Sequence, residues 1–188
     1  MRTLKLCMFI VSLFSASVTT TAQAQEPDQG MATVVFMRPS IFGGLIKSSV
    51  FDITSGKDDV IGILSGGKKI SYRVSPGEHF FMVIGENAGF MRAELEAGKT
   101  YYCRVRVKVG MWKARFALEP IRHTELDGEE FLTWQKNTEQ IENRDQARVW
   151  AAKHAPSIED KRVKYLRKWE KKSDAEKAEY TLRKEDGR

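Results

Sequence analysis

The residues Thr100 to Val109 alternate strictly between apolar and polar. Tyr101, Cys103, Val105, Val107 and Val109 fall on one face, and Thr100, Tyr102, Arg104, Arg106 and Lys108 on the other, because strand side chains alternate with period two. After a turn at Gly110, Met111 and Trp112, the pattern returns with Ala114, Phe116 and Leu118 on the apolar side against Lys113, Arg115 and Glu119. The spacing predicts a long β-hairpin, 97–121, with one core face and one cationic face. A hairpin of this kind needs a second sheet to cover it.

The residues before it supply that sheet. Short β-branched and aromatic runs at 32–37, 48–53, 60–64, 70–74, 79–84 and 91–95 are separated by Gly and Pro turns, such as Ser75-Pro76-Gly77 and Gly66-Gly67-Lys68-Lys69. Residues 41–46, with Gly43 and Gly44, read as a connecting loop. No helical period interrupts the runs, so the fold class expected is mainly β: a small antiparallel β-sandwich of about eight strands, with an α-helical C-terminal extension.

The start of the chain reads differently. Arg2 and Lys5, the apolar run 6–14 and the small residues Ala22 and Ala24 around Gln23 form a secretory signal-peptide pattern over 1–24, followed by a polar lead-in at 25–31. The apolar run is less than half of the roughly 20 residues a membrane span needs. Cys7 follows Lys5 and Leu6 without the small residues of a lipoprotein cleavage site, so no lipid anchor is expected. Cleavage would remove Arg2 and Lys5, taking Lys+Arg from 31 to 29 against 25 acidic residues, a net charge of +4. Only Cys103 would remain, which excludes an intramolecular disulfide. Two readings of Cys103 stay open, a small buried hydrophobe or an intermolecular disulfide.

Three segments carry a family resemblance. Ala32-Thr33-Val34-Val35-Phe36-Met37-Arg38-Pro39, Pro76-Gly77-Glu78-His79, and Glu96-Ala97-Gly98-Lys99-Thr100-Tyr101-Tyr102 followed by Arg104 together resemble the bacterial envelope family known as domain of unknown function 2846. The likeness covers 32–121 and implies a small secreted or periplasmic β-sandwich. It implies no activity and no site residues. Residues 122–188 lie outside it, and the lipobox cysteine of the family's lipoprotein members is missing.

Beyond Arg122 the apolar period becomes helical. Phe131, Trp134, Thr138 and Ile141 mark a helix from near Gly128. Asn143 with Gln146 marks a second that Pro156 should stop, and Ser157 with Asp160 a third running to about Lys184. On the third, Ile158, Tyr165, Leu166, Trp169 and Tyr180 share a face, with Arg162 intruding.

The run 161–172 holds seven basic residues and one acidic residue. Its Lys161, Lys164, Arg167, Lys168, Trp169, Lys171 and Lys172 form the first candidate site, an amphipathic surface suited to anionic lipid. The alternative is that the aromatic stripe packs inside the molecule. The cationic hairpin face of Arg104, Arg106, Lys108, Lys113 and Arg115 is the second candidate. It could meet envelope phosphates, pair with Glu125, Asp127, Glu129 and Glu130, or remain solvated.

Catalytic patterns are missing from the sequence. His79, His123 and His154 lack metal-ligand spacing, and no nucleophile elbow, P-loop or dinucleotide fingerprint occurs. No cofactor or metal is expected. The function expected is an exported, periplasmic or extracellular, non-catalytic protein that binds or scaffolds at the cell envelope. Its partner would be an envelope protein or an anionic envelope surface, and export argues against nucleic acid. Two alternatives are a peripheral binder of anionic membrane or polymer acting through the basic helix, and a small hydrolase with an unrecognised site.

Overall fold

A computed structural model describes residues 30–39, 46–109 and 114–188. The signal-peptide pattern, most of the 41–46 loop and the Gly110–Lys113 turn lie outside the described residues. Eight strands follow in order: β1 (Ala32–Arg38), β2 (Ser48–Asp52), β3 (Asp59–Leu64), β4 (Lys68–Val74), β5 (Gly77–Ile84), β6 (Ala88–Leu95), β7 (Thr100–Val109) and β8 (Ala114–Pro120). The remainder forms α1 (Glu129–Asn137), β9 (Glu139–Gln140), α2 (Arg144–Glu170), α3 (Asp174–Glu179) and β10 (Thr181–Leu182). The strands build two five-stranded sheets, ordered β8-β7-β1-β4-β9 and β10-β6-β5-β2-β3.

The mainly β sandwich is the fold expected, but its sheets are mixed rather than antiparallel. β1 runs parallel to β7 from Thr33↔Thr100 to Met37↔Arg104, and the short β9 and β10 also join in parallel. The chain crosses between sheets before returning, so β1 meets a strand it could not reach by a hairpin. The Gly66–Lys69 turn is such a crossing. Gly67 takes φ 73°, and β3 and β4 on either side of it belong to different sheets.

The central strands β1 and β5 are apolar on both faces. Along β5, Phe81 and Val83 enter the core between the sheets, while Met82 and Ile84 face α2. On β1, Val34 and Phe36 enter the central core, while Val35 and Met37 pack with Phe131 of α1. The order of layers is therefore α1, sheet, sheet, α2, which is why both strands read as continuous apolar runs. The last residues are fastened to the sandwich as well. Thr100 and Arg188 exchange backbone hydrogen bonds of 2.7 and 3.1 Å, and Arg122 pairs with Asp186 at 2.8 Å.

The helices differ from the sequence expectation in four ways. α1 ends at Asn137, so Thr138 and Ile141 lie beyond it, on either side of the strand β9 that pairs with β4. Pro156 lies inside α2 without ending it, and Ser157 and Asp160 are interior positions instead of a new start. An interior proline costs about 3 kcal/mol. Packing on both sides of it, by Ala147, Ile158 and Trp169 against the sheet, holds the helix together. Asn143 precedes α2 but makes no capping bond; its amide grips β3 instead, accepting from Ile63 N–H (3.0 Å) and donating to Ile63 C=O (2.8 Å). Finally, α2 stops at Glu170 rather than near Lys184, because Ser173 and Glu176 form a reciprocal capping box that starts α3.

Candidate anion-binding groove

The β7–β8 register sorts the hairpin's cations. Arg104 stands opposite Glu119, Arg106 opposite Ala117 and Lys108 opposite Arg115. Glu119 forms ion pairs with both arginines, accepting from Nη2 of Arg104 at 2.6 Å and lying 2.5 Å from Nε of Arg106. The Arg104 guanidinium also lies 4.7 Å from the Trp134 ring centre, tying it to α1. Lys108 and Arg115 form a like-charged cross-strand pair with no acidic partner among the described residues. None of the four acids considered as partners pairs with this face among the described residues: Glu125 accepts from Arg122 N–H at 2.6 Å, Asp127 pairs with Arg188 at 3.6 Å, and Glu129 and Glu130 lie exposed in the first turn of α1. Lys113 lies outside the described residues.

On α2, a step of 100° per residue divides the basic run in two. Lys161, Tyr165, Lys168 and Lys172 form one stripe; Lys164 flanks it, exposed but with its ammonium 5.7 Å from the Tyr165 ring centre, and Arg167 and Lys171 are exposed farther round the helix. Lys161 donates to Gly85 C=O at 2.7 Å and anchors the stripe to the β5–β6 turn. The Lys168 ammonium sits 5.1 Å from the Tyr165 ring centre. That of Lys172 sits 5.2 Å from Tyr180 and 3.5 Å from the Glu176 carboxylate. Trp169 is only 5 % exposed, packed with ring centres 5.9 Å from Phe80, 6.1 Å from Phe90 and 6.0 Å from Tyr180. Its indole Nε1 has no hydrogen-bond partner among the described residues.

A close backbone approach brings the hairpin to this stripe. The Asn87 side chain acts as a strand surrogate, accepting from Phe116 N–H at 2.6 Å and donating to Phe116 C=O at 3.0 Å. Gly89 makes the contact possible, since a Cβ there would lie 2.7 Å from the Phe116 carbonyl oxygen. β8 is thereby seated against the β5–β6 turn, and a groove of about 360 Å³ opens between the hairpin and α2. Its cations are Arg106, Lys108 and Arg115 from the hairpin, with Lys168 and Lys172 from the helix. Phe90, Phe116, Tyr165, Trp169 and Tyr180 supply its aromatic surface, and no acidic side chain lines it among the described residues.

The two candidate basic sets thus contribute to one concavity. Arg104 stays outside it, committed to Glu119 and Trp134. Lys161 is a structural anchor, and Lys164, Arg167 and Lys171 are solvent-facing. Tyr165 belongs to the aromatic face expected of the 161–172 run, whereas Phe90, Phe116 and Tyr180 are groove residues that sequence reasoning does not single out as a site. The spacing of Tyr165, Lys168 and Lys172 was available as a signal, whereas the Asn87–Phe116 contact has none. A larger, open cavity of about 1010 Å³ lies on the other side of Trp169. It mixes Glu78, Glu94, Glu170, Asp174 and Glu185 with Arg92, Lys177 and Arg183, so it lacks the single sign of charge that marks the groove.

One further polar cluster has the composition of a relay but a different geometry. His79 Nδ1 lies 3.3 Å from both Asp52 and the Thr54 hydroxyl, and Nε2 lies 2.9 Å from the Ser75 carbonyl oxygen. A nucleophile relay needs the acid and the hydroxyl on opposite ring nitrogens. Here both meet Nδ1, and the arrangement clamps the imidazole. The bond to Asp52 raises the His79 pKa, against the opposing effect of burial. For Asp52, burial alone would raise the pKa, but the bonds from His79 and Thr54 bring it below the usual carboxylate value. Tyr72, half-buried beside this carboxylate, is pushed up to about 12 by burial and by the charge of Asp52.

No protein-family model matches the chain, and no curated protein matches it.

Proposed function

We propose that this protein is an exported, non-catalytic binding module of the cell envelope that recognises an anionic surface through the groove between the β7–β8 hairpin and α2. The observation that carries the reading is the convergence of five cations, from segments about fifty residues apart, on one aromatic-lined concavity. Among the described residues no carboxylate lines it, and Lys108, Arg115 and Lys168 have no acidic partner, while Arg106 and Lys172 pair with Glu119 and Glu176. Like charges placed opposite each other on adjacent strands destabilise a sheet. Lys108 and Arg115 keep that arrangement, and an anionic ligand would relieve it. Export and a place in the envelope are supported by the signal-peptide pattern and by the resemblance of 32–121 to an envelope family.

The test is co-sedimentation of the purified protein with phosphatidylglycerol vesicles and with neutral phosphatidylcholine vesicles. Ionic strength is raised from about 0.01 to 1 M, where the screening length shortens from about 30 to 3 Å. The reading expects binding to the anionic vesicles alone, weakening with salt, and reduced by combining Lys108→Gln, Arg115→Gln and Lys168→Gln. Equal sedimentation with neutral vesicles, or a triple variant that binds as the parent does, would overturn it.

A further inference from the structure

Resting on that reading, we infer that the groove accommodates a single amphiphile with a phosphate-monoester head and an apolar chain. Lys108, Arg115 and Lys168 come from opposite walls of the groove, and none has a carboxylate partner among the described residues. Three cations converging from two walls suit a head group with three outward oxygens and close to two negative charges at neutral pH. A carboxylate, with two oxygens and one charge, would leave one cation unmatched. Arg115 adds a planar fork of donors fitted to phosphate oxygens.

The rest of the lining asks for something other than a bare ion. Phe90, Tyr165, Trp169 and Tyr180 line the same groove, and Trp169 and Phe90 are almost wholly buried and fixed by ring contacts. Tyr165 and Tyr180 are only half-buried above this floor: a free phosphate would leave their faces in contact with water, whereas a chain attached to the phosphate would cover them. The volume, about 360 Å³, lies at the small end of ligand pockets and fits one chain, not a lipid patch.

Calorimetric titration of the purified protein with decyl phosphate below its micelle concentration tests this, beside decanoate, decyl maltoside and inorganic phosphate. The expected result is one decyl phosphate per chain, bound at least about tenfold more tightly than each of the other three, since methylene burial and head-group charge both contribute. Arg115→Gln and Lys168→Gln should each weaken it at least about threefold, and Arg167→Gln, on the solvent side of α2, should not. Inorganic phosphate binding as tightly would reduce the site to a simple anion site. Equal affinity for decanoate would remove the phosphate from the inference. An equal loss in Arg167→Gln would show a general charge effect. Each of these outcomes overturns the inference. Vesicle binding without decyl phosphate binding would overturn it while leaving the surface reading intact, and failure of both would sink the two together.

Discussion

The two ends of the β7–β8 hairpin carry the same kind of charge and use it differently. At the end near the start of β7, Glu119 reaches two arginines, and the Trp134 ring covers one of them. At the other end, Lys108 faces Arg115 across the ladder with no acid between them, and Lys168 and Lys172 approach from the helix. Alternation in the sequence is identical at both ends. What distinguishes them is which strand position holds a glutamate, and which end lies beside α2. A cationic strand face is therefore two objects, one part of the fold and one available to a ligand.

That distinction can be broken from several directions. The largest effect is expected from Trp169→Ala, which removes the residue that both floors the groove and joins α2 to β5 and β6. Loss of about 3–5 kcal/mol is predicted for a buried aromatic, read as a lower urea midpoint at unchanged slope. The groove and the fold share this residue, so its loss should damage both. Glu119→Gln strikes the compensated end alone. With both arginines about a third exposed and screened by solvent, the expected loss is about 1 kcal/mol, with anion binding retained or strengthened.

The Asp52–His79 clamp gives a second case of charge committed to the fold. Because the folded pKa of His79 is raised above 6.5, its contribution is complete below that value and is lost as pH rises through the folded pKa. Because that of Asp52 is lowered below 3.8, its contribution is present above 3.8 and is lost as pH falls through the folded value. Chemical denaturation across pH should show stability declining on the alkaline side of 6.5, and His79→Gln should flatten that decline.

The smallest effect on stability belongs to the uncompensated end, and its sign is opposite. Arg115→Gln removes a like-charged cross-strand pair and should stabilise the fold by about 0.2–1 kcal/mol while weakening anion binding. A destabilised Arg115→Gln variant would mean that this end, too, is part of the fold.

The sequence made the layers legible where periodicity was strong. The strand faces of Tyr101, Cys103 and Val105 and the helical face of Ile158, Tyr165, Leu166 and Trp169 follow from periods of two and 3.6 residues. Parallel pairing of β1 with β7 was not legible, because nothing local encodes a partner more than sixty residues away. Pro156 misled because a stop signal is a local preference that packing at Ile158 and Trp169 overrides. Both basic segments of the groove were visible as separate features. Their meeting depends on Asn87 and Gly89 seating β8 at the β5–β6 turn, a contact with no periodic signature.

If the two distant basic segments make one site, a double-mutant cycle across the groove will register their coupling. Binding to phosphatidylglycerol vesicles would be measured for the parent, Arg115→Gln, Lys168→Gln and the double variant at one low ionic strength. A shared anion between the two walls predicts that the double variant loses less than the sum of the single losses, with a coupling of at least about 0.5 kcal/mol. Losses that add within about 0.3 kcal/mol would show two independent patches and contradict the account.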